Sequence, residues 1–133
     1  MRKILLSLVL VIAMSAFLFG NTSYASEVTA IDDSTLLKTF GPYKFKTKDG
    51  QWDGQLIVPS GGADVTVTVR KLNFTGDPMV RLCNAASGNC TGFGPLRQPS
   101  LTRTFTNMLP GTYYGDVVTG TVTSSGTISF NVR

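Results

Sequence analysis

The chemistry open to this chain is narrowed first by what it lacks: among 133 residues there is no histidine, and there are two cysteines. A Ser-His-Asp triad, a Cys-His dyad and any zinc site with a histidine ligand are therefore excluded from this chain alone. Two thiols are also too few for an all-cysteine zinc site. A glycosidase pair could be imagined from Asp49, Asp53, Asp64, Asp77 and Asp116. All lie beside turns or on strand surfaces, and nothing in their spacing pairs any two. The run Asp49-Gly50-Gln51-Trp52-Asp53-Gly54 puts two carboxylates in a glycine-rich segment. A calcium loop would need more oxygen ligands at closer alternate spacing, often with a terminal Glu, and Glu27 is the chain's only Glu. A hairpin turn, with Asp and Gly there for backbone reasons, is the plainer expectation. The chain thus reads as a non-enzyme with no metal and no cofactor.

Three groups remain that can bind. Lys44, Lys46 and Lys48 alternate along one segment and make a cationic row. Such a row suits an anionic surface, but it is also how an edge strand protects itself from pairing with another sheet. Trp52, Tyr113 and Tyr114 are the aromatics suited to stacking on a sugar face, although a lone Trp sharing alternation with Leu56 and Val58 more often fills a core. Adjacent Tyr113 and Tyr114 must point to opposite faces of their strand, so one of them is directed outward. Cys83 and Cys90 are separated by Asn84-Ala85-Ala86-Ser87-Gly88-Asn89, a turn-forming run that lets the two thiols meet as a structural disulfide. A redox-active pair would want a closer spacing and a thiolate-stabilising helix start.

Arg2 and Lys3 precede an apolar run from Ile4 to Phe19, followed by small residues at Ser23-Tyr24-Ala25. This is the pattern of a secretory signal peptide over residues 1–25, cut after Ala25. The run is shorter than the roughly 20 residues of a spanning helix, and no second one occurs, so no transmembrane segment is expected after cleavage. Cleavage would leave 108 of the 133 residues, with 10 basic residues against 8 acidic ones, a net charge of +2 in place of +4. That is too sparse for the basic stripe of a nucleic-acid binder. Secretion to the extracellular space and a monomeric state are expected.

The elements that must position these groups follow from period-2 alternation. After a polar segment at 26–36, strands are expected at Tyr43–Thr47, Trp52–Val58, Val65–Arg70, Met79–Cys83, Leu101–Thr106, Thr112–Val118 and Thr127–Val132. Thr121–Thr123 is a candidate eighth strand, and a turn over Asp33–Lys38 is the only helical candidate. Gly92–Pro99, with two glycines and two prolines, reads as a long mobile connection. Seven or eight short strands punctuated by Gly and Pro predict an all-β domain over 37–133: an antiparallel β-sandwich, of jelly-roll or immunoglobulin-like topology.

Residues 65 to 132 run from VTVTVRKLNFTGDPMVRLCNAASGNC to PGTYYGDVVTGTVTSSGTISFNV. Their order, together with Trp52–Val58, resembles the bacterial pre-peptidase C-terminal domain, a small β-sandwich found after the catalytic domains of many secreted proteases. The shared elements are the Val/Thr strand, the Gly76-Asp77 turn, two cysteines around a turn, the Gly111-Thr112-Tyr113-Tyr114 strand start and a closing Ser/Gly hairpin. The resemblance implies a secreted, non-catalytic accessory role. Members usually carry a second acidic residue two positions after the Gly-Asp aspartate; here that position is Met79, which leaves Asp77 alone and puts any calcium site there in doubt. The expected partner is an extracellular polymer, whether cell-wall glycan, matrix polysaccharide or protein surface. The alternatives are an inhibitor that inserts its Gly92–Pro99 loop, through Phe93, Leu96 or Arg97, into another protein, and a self-associating matrix protein.

Overall fold

The computed structural model describes residues 37–133; the leader expected at 1–25 and the polar segment at 26–36 lie outside them. Among the described residues the strands are β1 (Lys38–Lys46), β2 (Gly54–Val58), β3 (Ala63–Arg70), β4 (Met79–Asn84), β5 (Gly94–Pro95), β6 (Thr102–Met108), β7 (Gly111–Val118) and β8 (Ser125–Val132). They form two four-stranded antiparallel sheets, ordered β1-β8-β3-β6 and β2-β7-β4-β5. The pairs β1·β8, β2·β7, β3·β6 and β4·β5 match each strand from one end with its counterpart from the other. The described residues therefore form one long antiparallel ribbon, doubled back between β4 and β5 and rolled so that successive rungs fall in alternate sheets. Eight strands in this order make a jelly roll, the first of the two sandwich topologies the alternation predicts.

Alternation fixes which side chains enter the core. Val65, Val67 and Val69 of β3, Ile128, Phe130 and Val132 of β8, Leu56 and Val58 of β2, and Val80 and Leu82 of β4 are all buried. The sheets interlock at one point through two glycines. Gly54 and Gly115 face each other across the β2–β7 ladder. A Cβ added at either would come within 2.8 Å (Gly54) or 2.7 Å (Gly115) of the Phe130 ring, so the missing side chains form the slot that this ring fills from the opposite sheet. That contact holds the start of β2 at a fixed height over the core, immediately after Trp52 and Asp53.

Several expectations are corrected. The second strand starts at Gly54, not at Trp52, so Trp52 escapes the alternation that would have buried it. The first strand runs from Lys38 to Lys46, which puts a strand residue where the helical turn was expected to end and leaves Lys48 in the following turn; residues 33–36 lie outside the described part. Thr121–Thr123 forms no strand. The eighth strand is β5, within the segment expected to be a loose loop: Gly94 and Pro95 pair with Val80 and Met79, and Leu96 is fully buried. The Asp49–Asp53 and Thr119–Ser124 segments are not hairpins either. Each carries the chain from one sheet to the other, because β1 and β8 belong to one and β2 and β7 to the other.

Candidate functional site

The connection from β1 to β2 is built by its own carboxylates. Asp49 Oδ1 accepts from the Gln51 N–H at 2.9 Å, closing a short Asx turn. Asp53 N–H donates to the Gly115 carbonyl at 2.9 Å, and Asp53 Oδ2 accepts from the Val117 N–H at 2.6 Å. The Asp53 side chain thus stands in for a backbone carbonyl and extends the β2–β7 ladder past the strand's end. On the other side of the turn, Ser124 N–H donates to Thr47 Oγ1 at 2.9 Å, and Thr47 N–H donates to the Ser124 carbonyl at 2.8 Å. Thr47 Oγ1 lies 3.3 Å from Thr119 Oγ1, which donates to the Val122 carbonyl at 2.6 Å. This buried hydroxyl chain ties the two sheet-to-sheet connections to each other.

Trp52, held between those clamps, lies flat on Tyr114, with ring centroids 5.5 Å apart and planes 13° from parallel. Trp52 is 50% exposed. Beside the stack on the same outer face, Arg81 of β4 and Asp116 of β7 are register partners and form an ion pair, Nε to Oδ2 2.7 Å. The Arg81 guanidinium also sits 4.6 Å from the centroid of the Phe93 ring, itself exposed. Partly exposed, this arrangement contributes modestly to stability, on the order of 1 kcal/mol, but it fixes the direction of three polar and aromatic groups.

A groove of about 330 Å³ runs along this edge, and its lining includes Lys46, Lys48, Trp52, Asp53, Arg81 and Asp116. Asp53, almost fully covered, forms part of it. Burial pushes its carboxyl up from the ordinary 3.8 to about 7; the Val117 N–H holds it down, and Asp116 and Asp49 push it further up. Two carboxylates therefore meet in one cleft, but each is engaged, Asp116 by Arg81 and Asp53 by the Val117 amide. Rings, cations and fixed hydrogen-bonding groups along an open cleft are equipment for holding a ligand.

The residues singled out from the sequence are thereby divided. Trp52 and Tyr114 come together as a stacked surface pair, and Lys46 and Lys48 line the adjoining groove. Lys44 is exposed on β1 outside that lining, on a strand that is the sheet's edge. Tyr113 points inward, is buried, and donates its hydroxyl to the Leu109 carbonyl at 3.0 Å, so the outward one of the two tyrosines is Tyr114. Cys83 and Cys90 form a disulfide that closes the turn between β4 and β5. Asp77 is exposed, and among the described residues no three His, Cys, Asp or Glu side chains gather as metal ligands would. Sequence reasoning missed Arg81, Asp116 and Phe93 as parts of the site. The opposition of Arg81 and Asp116 depends on β4–β7 register, which no local pattern encodes. No family model matches the chain, and no curated protein does. No helix among the described residues is long and apolar enough to cross a membrane.

Proposed function

We propose that this chain is a secreted, non-catalytic binding module that engages an extracellular polysaccharide on the outer face of the β2-β7-β4-β5 sheet. The stacked and half-exposed Trp52–Tyr114 pair carries the proposal. A flat indole left open to solvent forgoes the burial a Trp normally gains, and its free face offers a rigid apolar surface matched to the C–H face of a pyranose ring. The disulfide is compatible with an oxidising compartment, and the apolar leader expected at 1–25 supplies the route there. The resemblance to the pre-peptidase C-terminal domain is proposed on its sequence elements alone, and it suggests the same accessory role. The inhibitor alternative loses ground because Leu96, one of its three contact residues, is fully buried.

The test is a pull-down of the protein with insoluble polysaccharides, peptidoglycan among them, at low and high salt. Trp52→Ala and Tyr114→Ala should each weaken retention about tenfold, on the order of 1.4 kcal/mol, with unchanged circular dichroism. Retention of both variants at the wild-type level would dismiss the aromatic surface as the binding site.

A further inference from the structure

The groove beside the aromatic pair has a charge pattern of its own. Its lining carries Lys46 from the end of β1, Lys48 from the turn and Arg81 from β4, against Asp116 from β7 and Asp53. Arg81 and Asp116 neutralise one another. Among the described residues Lys46 has no carboxylate partner within ion-pairing distance, and the Lys48 ammonium is held by the Thr121 carbonyl, which anchors it without cancelling its charge. Two lysine charges therefore remain at the rim, a few residues from a sugar-sized aromatic surface on the same cleft. Neutral sugars have no use for them.

From this juxtaposition we infer that the ligand is an acidic polysaccharide built of carboxylated sugars, a uronate ring lying on Trp52 while its carboxylate, or that of its neighbour, is held by Lys46 and Lys48. This rests on the polysaccharide-binding reading above and narrows it. Asp53 gives the site a second property. The charged and titratable groups around it are Asp116 on β7, Asp49 in the turn, and the groove cations Lys46, Lys48 and Arg81. While Asp53 is neutral, the three cations face two carboxylates, Asp116 and Asp49, a net of +1; once it ionises, the net falls to zero. Uronates remain anionic throughout, so they bind more tightly below about pH 7 than above it.

The experiment is calorimetric or NMR titration of the protein with three uronate oligosaccharides, from polygalacturonate, alginate and hyaluronan. Each is compared with its own methyl ester at 0.15 M salt, at pH 5.5 and 8.5. The expected result is at least one acid oligosaccharide binding tenfold or more tighter than its ester, with affinity falling several-fold at pH 8.5. The Lys46→Gln/Lys48→Gln double variant should lose most of the acid-over-ester preference while still binding the ester, and Asp53→Asn should lose the pH dependence. Acid and ester binding equally well would overturn the uronate assignment and leave the aromatic site standing. Binding to neither would overturn both. A preference that survives the double lysine variant, with its urea midpoint unchanged, would also overturn the assignment.

Discussion

Asp53→Asn is the substitution that separates the role of the hydrogen bond from the role of the charge. Asn keeps the side-chain oxygen that accepts from Val117 N–H and removes the proton equilibrium. In the wild type the folded carboxyl titrates near 7 and the unfolded one near 3.8. A carboxyl raised on folding binds its proton more tightly in the native state, so the native state is favoured fully below the unfolded value. That advantage drains away as pH rises from about 3.8 to about 7. At 1.36 kcal/mol per pH unit the ceiling is about 4 kcal/mol; the carboxyl edges an open groove that admits water, which brings the expected figure to about 2 kcal/mol. Urea unfolding of both proteins from pH 4 to 8.5 reads this directly. Relative to wild type, Asp53→Asn should gain about 2 kcal/mol between pH 4 and 8, equivalent to about 10 °C in Tm for a domain of this size. Parallel stability curves, or a wild type that gains on the variant as pH rises, would show that Asp53 is not an unwillingly charged group and that the groove's pH dependence has another source.

Two further perturbations probe the framework behind the site. Gly115→Ala places a Cβ 2.7 Å from the Phe130 ring and 3.3 Å from Ile128 Cδ1, both in side chains with no exposure and nowhere to retreat. A loss of about 1–3 kcal/mol in chemical unfolding is expected, and an unchanged midpoint would mean the sheets do not interlock at that slot. Replacing Cys83 and Cys90 together with Ala opens a loop whose ends are 7 residues apart, worth about 2.5 kcal/mol in the chain-entropy model. A change under 0.5 kcal/mol would show that the bonds of Asn84 to Ala86 and Ser87 already hold the turn.

The fold class was legible because alternation is a local property. Val65-Thr66-Val67-Thr68-Val69 and Ile128-Ser129-Phe130-Asn131-Val132 announce strands and inward faces without reference to any partner, and all seven expected strands exist. What was not legible is which strand meets which. Asp49-Gly50 and Ser124-Ser125-Gly126 have the chemistry of hairpin turns, yet both lead into the opposite sheet, since turn residues bend the chain without selecting its next neighbour. The β5 segment was hidden for a related reason. Gly94 and Pro95 have poor strand propensity, and they pair with β4 because the disulfide and the burial of Leu96 bring them there. Trp52 was misplaced by extending the alternation of β2 two residues past its end.

That misplacement carries the physical lesson of the site. Continuing the strand through Trp52 would have turned its indole toward the core, where Phe130 already occupies the slot left by Gly54 and Gly115. The strand stops instead, and Asp53 turns inward in its place. A carboxyl there costs free energy when ionised, offset in part by the Val117 amide that it satisfies. The return on that cost is positional: a residue bonded to Gly115 and Val117 at once cannot rotate, and the ring just before it is delivered onto Tyr114. The group that titrates and the ring that stacks are chain neighbours on one clamp. Ionisation of Asp53 therefore acts on the binding surface through the charge of the groove, while the hydrogen bond from the Val117 amide that supports the ring is kept and strengthened by the charged acceptor. An uncharged ligand does not sense that charge, so its affinity should be the same on either side of pH 7.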